Sequence, residues 1–163
     1  KKICPVWGEV TEANLGMVDD DLRHTIANTN IVFHLAASLK LENTLKPNIL
    51  INLTGTKNVV DVAKQMKNLD LLMHISTAFC NIEHDVVEEK VYDFPHRPFE
   101  VIRAAEWLSE KTLAAAQKDI LGIHPNTYTY TKRLAEILIR DEYNNNNFPA
   151  CIVRPSIVTP SFW

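Results

Sequence analysis

The chain has 163 residues, 46% hydrophobic and 23% charged, with a formal net charge of -3. That length supports one domain with a real core in ordinary globular proportions, and the charge offers no basic field for nucleic acid. Cys4, Cys80 and Cys151 are far apart and the six histidines are scattered. Neither a disulfide framework nor a metal-ligand spacing is suggested, and a reducing, intracellular compartment is expected. The apolar run at residues 69–75 is interrupted by Asp70 and His74 and is too short to span a membrane.

The first apolar run, Ile3-Cys-Pro-Val-Trp7, ends at Gly8 and is predicted as a strand. Pro5 suits an edge or a strand end, having no N–H for the ladder. Residues 19–28 have helical character, with Leu22 and Ile26 four apart. Residues 30–37, Asn-Ile-Val-Phe-His-Leu-Ala-Ala, form a near-continuous apolar run, the pattern of a buried parallel strand. Its small terminal residues either pack tightly or let the backbone approach a flat ligand. A long helical pattern covers residues 44–67, with Ile49, Leu53, Val59, Val60 and Ala63 among its apolar positions. Gly55 inside it costs a helix about 1 kcal/mol relative to Ala, which points to a packing or ligand reason.

Residues 69–75 are the next apolar strand and run straight into Ser76-Thr77-Ala78. Hydroxyls at the carboxyl end of a parallel strand sit where open α/β sheets bind ligands, although turn formation is the commoner reason for a Ser-Thr pair. Residues 81–97 are polar, acidic and punctuated by Pro95, as expected of an excursion over the surface. A single helix is predicted over 98–118, with Val101, Ile102, Ala105, Leu108, Thr112 and Ala115 on one face. Another begins near Pro125 and continues through Leu134, Ile137 and Leu138 to about residue 143, where four asparagines end it. Residues 150–155 close the chain as a last strand capped by Pro155. Strands alternating with helices specify an α/β fold, a doubly wound parallel sheet with helices on both faces.

Tyr128 and Lys132 stand four residues apart at the start of the later helix, on one face of it. A cation beside a phenol favours the phenolate and lowers a pKa that is ordinarily about 10, so such a Tyr can exchange a proton near neutral pH. Tyr130, two residues from Lys132, faces elsewhere. Taken alone, the spacing is more often that of a packed Tyr and a solvated Lys. In a doubly wound sheet, however, the Ser76–Thr77 pair, the Tyr/Lys pair and the small residues at 36–37 gather at one edge. A carbonyl there can take a hydrogen bond from Thr77 and a proton from Tyr128 as hydride reaches its carbon.

His34-Leu-Ala-Ala37, Asn52-Leu-Thr-Gly-Thr56, Ile75-Ser-Thr-Ala-Phe-Cys80, Pro125-Asn-Thr-Tyr-Thr-Tyr-Thr-Lys132 and Arg154-Pro-Ser-Ile-Val158 occur in the order of an extended short-chain dehydrogenase/reductase. The set most resembles an alcohol-forming fatty acyl-CoA reductase, and the likeness covers nearly the whole chain. It implies a Rossmann-like domain that uses NADPH to reduce a long-chain acyl-CoA, through an aldehyde, to a fatty alcohol of lipid, wax or pheromone type. By that resemblance Tyr128 is the proton donor, Lys132 its partner and a cofactor contact, and Thr77 with Ser76 the carbonyl-binding hydroxyls. Ala36, Ala37, Asn52 and Pro155 would line the cofactor. Gly8 and Glu9 match the adenine-side position, where the family often has Asp instead of Glu.

The four glycines, Gly8, Gly16, Gly55 and Gly122, form no G-x-x-G-x-x-G phosphate loop. The chain also starts at Lys1 rather than Met and stops at Trp163 soon after a Pro. It therefore reads as one partial NAD(P)-binding domain over 1–163, lacking the first strand, glycine-rich loop and second strand, and inactive by itself. In the family's 3-2-1-4-5-6 strand order that loss would separate residues 3–7 from the rest of the sheet. Membrane contact would come through segments outside this chain, at the cytosolic face of the endoplasmic reticulum or peroxisome. Alternatives are an extended-type enzyme acting on nucleotide sugars and a non-catalytic dinucleotide-binding module.

Overall fold

The computed structural model describes residues 2–159. Helix α1 (Asp19–Asn28) precedes three parallel strands, β1 (Ile31–His34), β2 (Leu71–Ile75) and β3 (Ala150–Val153), which lie in the order β1-β2-β3. Their register sets His34 beside His74 and Met73 beside Cys151. Parallel neighbours require a crossover between them, and helices supply it. Between β1 and β2 run α2 (Leu45–Asn48), a π-helical stretch (Ile49–Thr54) and α3 (Gly55–Ala63). Helices α4 (Pro98–Trp107), α5 (Glu110–Leu121) and α6 (Thr127–Asn146) connect β2 to β3.

Side chains alternate across each strand, so Leu72, His34 and His74 share one face. That face carries the core, where Leu72 clusters with Val60 of α3 and with Leu134 and Leu138 of α6. All five apolar positions read from the helical pattern at 44–67 are buried there. On the opposite face, Ile31 and Phe33 are 50% and 60% exposed. The run at 30–37 thus yields a four-residue strand at the edge of the sheet rather than a buried one.

The expected strand at residues 3–7 is absent: the segment pairs with nothing, and Trp7 is 91% exposed. An apolar run becomes a strand only by pairing, and this segment forms no ladder with β1, although Cys4 and Val6 lie near it. Beyond it, residues 8–17 fold back through a hydrogen bond from Glu9 N to Leu15 O and dock on α3. A Cβ on Gly55 would come within 3.0 Å of Val10 Cγ2, which gives the packing reason for that glycine.

The helix expected over 98–118 is two helices. Leu108 leaves the helical region, and Ser109 caps α5 by accepting from Thr112 N at 3.1 Å. A serine followed by good helix formers is an N-cap signal that the apolar periodicity hides. The break turns Leu113 into the core and leaves Thr112 and Ala115 exposed. Helix α6 outlasts its expected end by three residues, and Asn147 stops it in the left-handed region at φ 50°.

Candidate active site

Helix α6 opens with Asn126, whose side chain accepts from Thr129 N at 2.9 Å. The cap sets the first turn, and therefore the direction of Tyr128. Farther back, Asn48 Nδ2 donates to Thr127 Oγ1 at 2.6 Å and Asn52 Nδ2 to Thr131 Oγ1 at 3.0 Å. Both bonds fasten α6 to the helical stretch after β1. One turn beyond Tyr128, the buried Lys132 donates from Nζ to the Ile75 carbonyl at 2.7 Å. The ammonium is thereby pinned to the carboxyl end of β2, beside Ser76 and Thr77.

These groups open into one cleft of about 680 Å³. Ala37, Ser76, Thr77, Tyr128, Lys132 and Pro155 line it, and Leu39, Leu41, Phe79, Ile82 and Ile157 form an apolar wall. Ala36 is exposed and does not line the cleft. Asn52 is buried behind it and holds the loop after β1, accepting from Ser38 N at 2.8 Å and donating to Ser38 O at 3.3 Å. It therefore positions the small residues at 36–37 and does not itself face the cleft. Gly8 and Glu9 are not brought to it either: the Glu9 carboxylate accepts from Thr11, away from the strand ends.

The electrostatics correct one expectation. The Tyr128 pKa is raised above its usual 10, chiefly by burial and then by the nearby Cys80, while the Thr77 hydroxyl acts in the opposite direction. Lys132 is not among the groups that act on the phenol, and its ammonium donates to the Ile75 carbonyl. Burial lowers Lys132 to about 8, against which Cys80 and Glu136 act. At neutral pH the site therefore holds a protonated phenol beside an ammonium. A proton donor has to start in that state.

Several groups at the site escaped the sequence reading. His34 is buried beside His74 with ring centroids 5.2 Å apart, and burial followed by Lys132 lowers both pKa values, His34 to about 4. Thr56 gives its proton to the Asn52 carbonyl at 2.7 Å, so at 3.0 Å it accepts from His34 Nε2–H. Below the cleft, Glu136 is fully buried, and Arg154 grips it with Nε at 2.8 Å and Nη2 at 2.7 Å. The spacing 128-132-136 could have revealed Glu136, one further turn along the same helix face. Arg154 belongs to the last of the motifs, and nothing in the sequence pairs it with Glu136.

The donor set fits the nicotinamide–ribose end of a dinucleotide. Small side chains allow a flat ring to approach, and Lys132 keeps donors beyond the one used on Ile75. An open parallel sheet with these groups at its carboxyl edge defines a Rossmann-type α/β domain. Solved structures agree on the fold. The terminal R domain of the myxalamid PKS-NRPS pathway superposes with TM-score 0.66 at 17% identity, over 93% of this chain and 32% of that one. The UDP-glucuronic acid 4-epimerase of Bacillus cereus, solved with NAD, gives TM-score 0.55 at 22% identity, over 83% and 35%.

Residues 1–161 match the family described as male sterility protein, and the chain belongs to it. Among curated relatives, human fatty acyl-CoA reductase 1 is 37% identical over 164 residues, covering 99% of this chain and 31% of that protein. Mouse fatty acyl-CoA reductase 2 is 36% identical over 160 residues, covering 97% and 30%. The chain thus spans about a third of the length of these relatives.

Proposed function

We propose that the protein of which this chain forms the described part reduces a long-chain fatty acyl-CoA to the fatty alcohol, with NADPH as reductant. The observation that carries this reading is the single cleft in which Ser76, Thr77, Tyr128 and Lys132 meet an apolar wall. NADPH, when bound, supplies the hydride. Thr77, with Ser76 beside it, donates a hydrogen bond to the carbonyl oxygen, and Tyr128 gives it a proton as negative charge develops there. Lys132, held as an ammonium at the carboxyl end of β2, would bind the ribose hydroxyls with the donors that the Ile75 carbonyl leaves free. For the thioester the first reduction expels the CoA thiol and leaves an aldehyde, and a second brings the aldehyde to the alcohol.

The wall formed by Leu39, Leu41, Phe79, Ile82 and Ile157 suits an alkyl chain. A nucleotide sugar would present hydroxyls that these side chains cannot satisfy. The same reading places the protein at the cytosolic face of the endoplasmic reticulum or peroxisome, with its lipid contact through other segments. Among the described residues no helix is long and apolar enough to cross a membrane.

The full-length protein, given a sixteen-carbon acyl-CoA and NADPH, should release the alcohol and free CoA with two NADPH consumed per alcohol. Turnover of UDP-sugars in place of acyl-CoA, or binding of NADPH without any reduction, would overturn the reading.

A further inference from the structure

We propose that Glu136, clamped between Arg154 and Cys80, is a positioning residue for the reduction: it holds the Ser76–Thr77 turn and the Lys132 ammonium in register. This rests on the reductase reading above and adds a group that reading does not use. Glu136 lies one turn beyond Lys132 on α6 and does not line the cleft. Its Oε1 accepts from Arg154 Nε and lies 3.3 Å from Cys80 Sγ, and its Oε2 accepts from Arg154 Nη2.

Cys80 carries the contact to the hydroxyls. Its Sγ is also 3.3 Å from the Thr77 carbonyl and 3.9 Å from Ser76 Oγ, and it accepts from Asn81 Nδ2 at 3.2 Å. Its thiol proton is retained, because burial and then Glu136 push the pKa up to about 12. Arg154 completes the clamp by donating to the Glu88 and Lys90 carbonyls, which ties the polar loop at 81–97 to the same point. One carboxylate therefore joins the end of β2, the third turn of α6, the end of β3 and that loop.

A carboxylate this deeply buried costs desolvation that its partner repays only with good geometry. Replacing the pair by apolar side chains could conserve the fold, so its stability alone does not account for its place beneath the cleft. Its charge also bears on Lys132 against the desolvation there. The other titratable groups facing Lys132 are Tyr128 on α6, His34 on β1, His74 on β2 and Cys80 after β2. Arg154, just after β3, stands behind Glu136.

The test uses the full-length protein, with acyl-CoA turnover followed from pH 6 to 10 in wild type, E136Q, C80A and the double variant E136M/R154M. E136Q should lower kcat by roughly tenfold to a hundredfold, with KM for acyl-CoA changed less than about threefold. It should also move the alkaline limb of the profile to lower pH, since the charge that favours the Lys132 ammonium is gone. C80A, which leaves the ion pair whole, should lower kcat less, although it too moves the limb to lower pH because Cys80 also favours the Lys132 ammonium. E136D should recover part of the loss. If E136Q unfolds, E136M/R154M restores a neutral core: low kcat in a folded double variant supports the positioning role, and wild-type kcat overturns it. An unshifted limb with unchanged kcat in folded E136Q overturns it too. A wild-type protein inactive on acyl-CoA would instead sink the reductase reading.

Discussion

Two stripes of one helix divide the work of α6. Tyr128, Lys132 and Glu136 follow each other at four-residue steps toward the cleft and the clamp beneath it. Tyr130, Leu134 and Leu138 do the same toward the core, where all three are essentially inaccessible. The tyrosines are two residues apart and chemically identical, yet their surroundings differ. Tyr130 donates or accepts a single bond with His96 Nδ1 at 2.8 Å and sits edge-on to Phe94 and His124. Burial alone raises its pKa. Tyr128 is half-buried and stands in the same cleft as an ammonium and two hydroxyls. Sequence spacing chooses the stripe, and the stripe decides whether a phenol is packed in the core or opens into the cleft.

Large-to-small substitution on the core stripe should have the greatest effect. Tyr130→Ala should lose about 3–5 kcal/mol of stability, read by denaturant unfolding of the full-length protein. A loss below about 1 kcal/mol would show that the core stripe does not support the fold as described. On the cleft stripe, Lys132→Met should cut turnover on the order of a hundredfold while unfolding changes little. Wild-type kcat/KM should itself decline as pH rises through about 8, where the Lys132 ammonium is lost. A flat profile to pH 10 would break the assignment of that charge.

A smaller effect concerns the buried histidines under both stripes. His34 and His74 are neutral when folded, whereas in the unfolded chain each takes a proton near pH 6.5. Between about 6.5 and 4 the unfolded state binds more protons, so stability should fall as pH falls through that window. His74, whose two ring nitrogens have no partner, is the cleaner probe. His74→Leu should flatten the acid limb of melting temperature against pH, and an unchanged limb would assign the acid loss elsewhere. Smallest of all, Arg140→Ala removes a pair with the exposed Asp93 and should leave melting unchanged within error.

Much of this was legible in the sequence because periodicity and residue type encode it directly. The helix at 19–28, the parallel arrangement, the core positions of the stretch after β1 and the cleft set of Ala37, Ser76, Thr77, Tyr128, Lys132 and Pro155 all follow from spacing, strand ends or motif order. What was illegible depended on partners distant in sequence. Residues 3–7 have strand composition but form no ladder with the sheet. Asn52 reads as a cofactor contact until Ser38 and Thr131 are seen to occupy its amide. The raised pKa of Tyr128 depends on burial, which an i,i+4 rule cannot supply. Glu136 shares the helix face of the motif, but its purpose appears only with Arg154 and Cys80 in place.

The most direct test of the division between the stripes sets Tyr128→Phe beside Tyr130→Phe in the full-length protein. Each loses one hydroxyl, and turnover, NADPH binding and melting temperature are read for both. Tyr128→Phe should lose on the order of a hundredfold or more in alcohol formation while binding NADPH and melting as wild type does. Tyr130→Phe should keep its turnover and lose about 1 kcal/mol of stability with the His96 bond. Near-normal turnover in Tyr128→Phe, or an equal loss in both, would contradict the account.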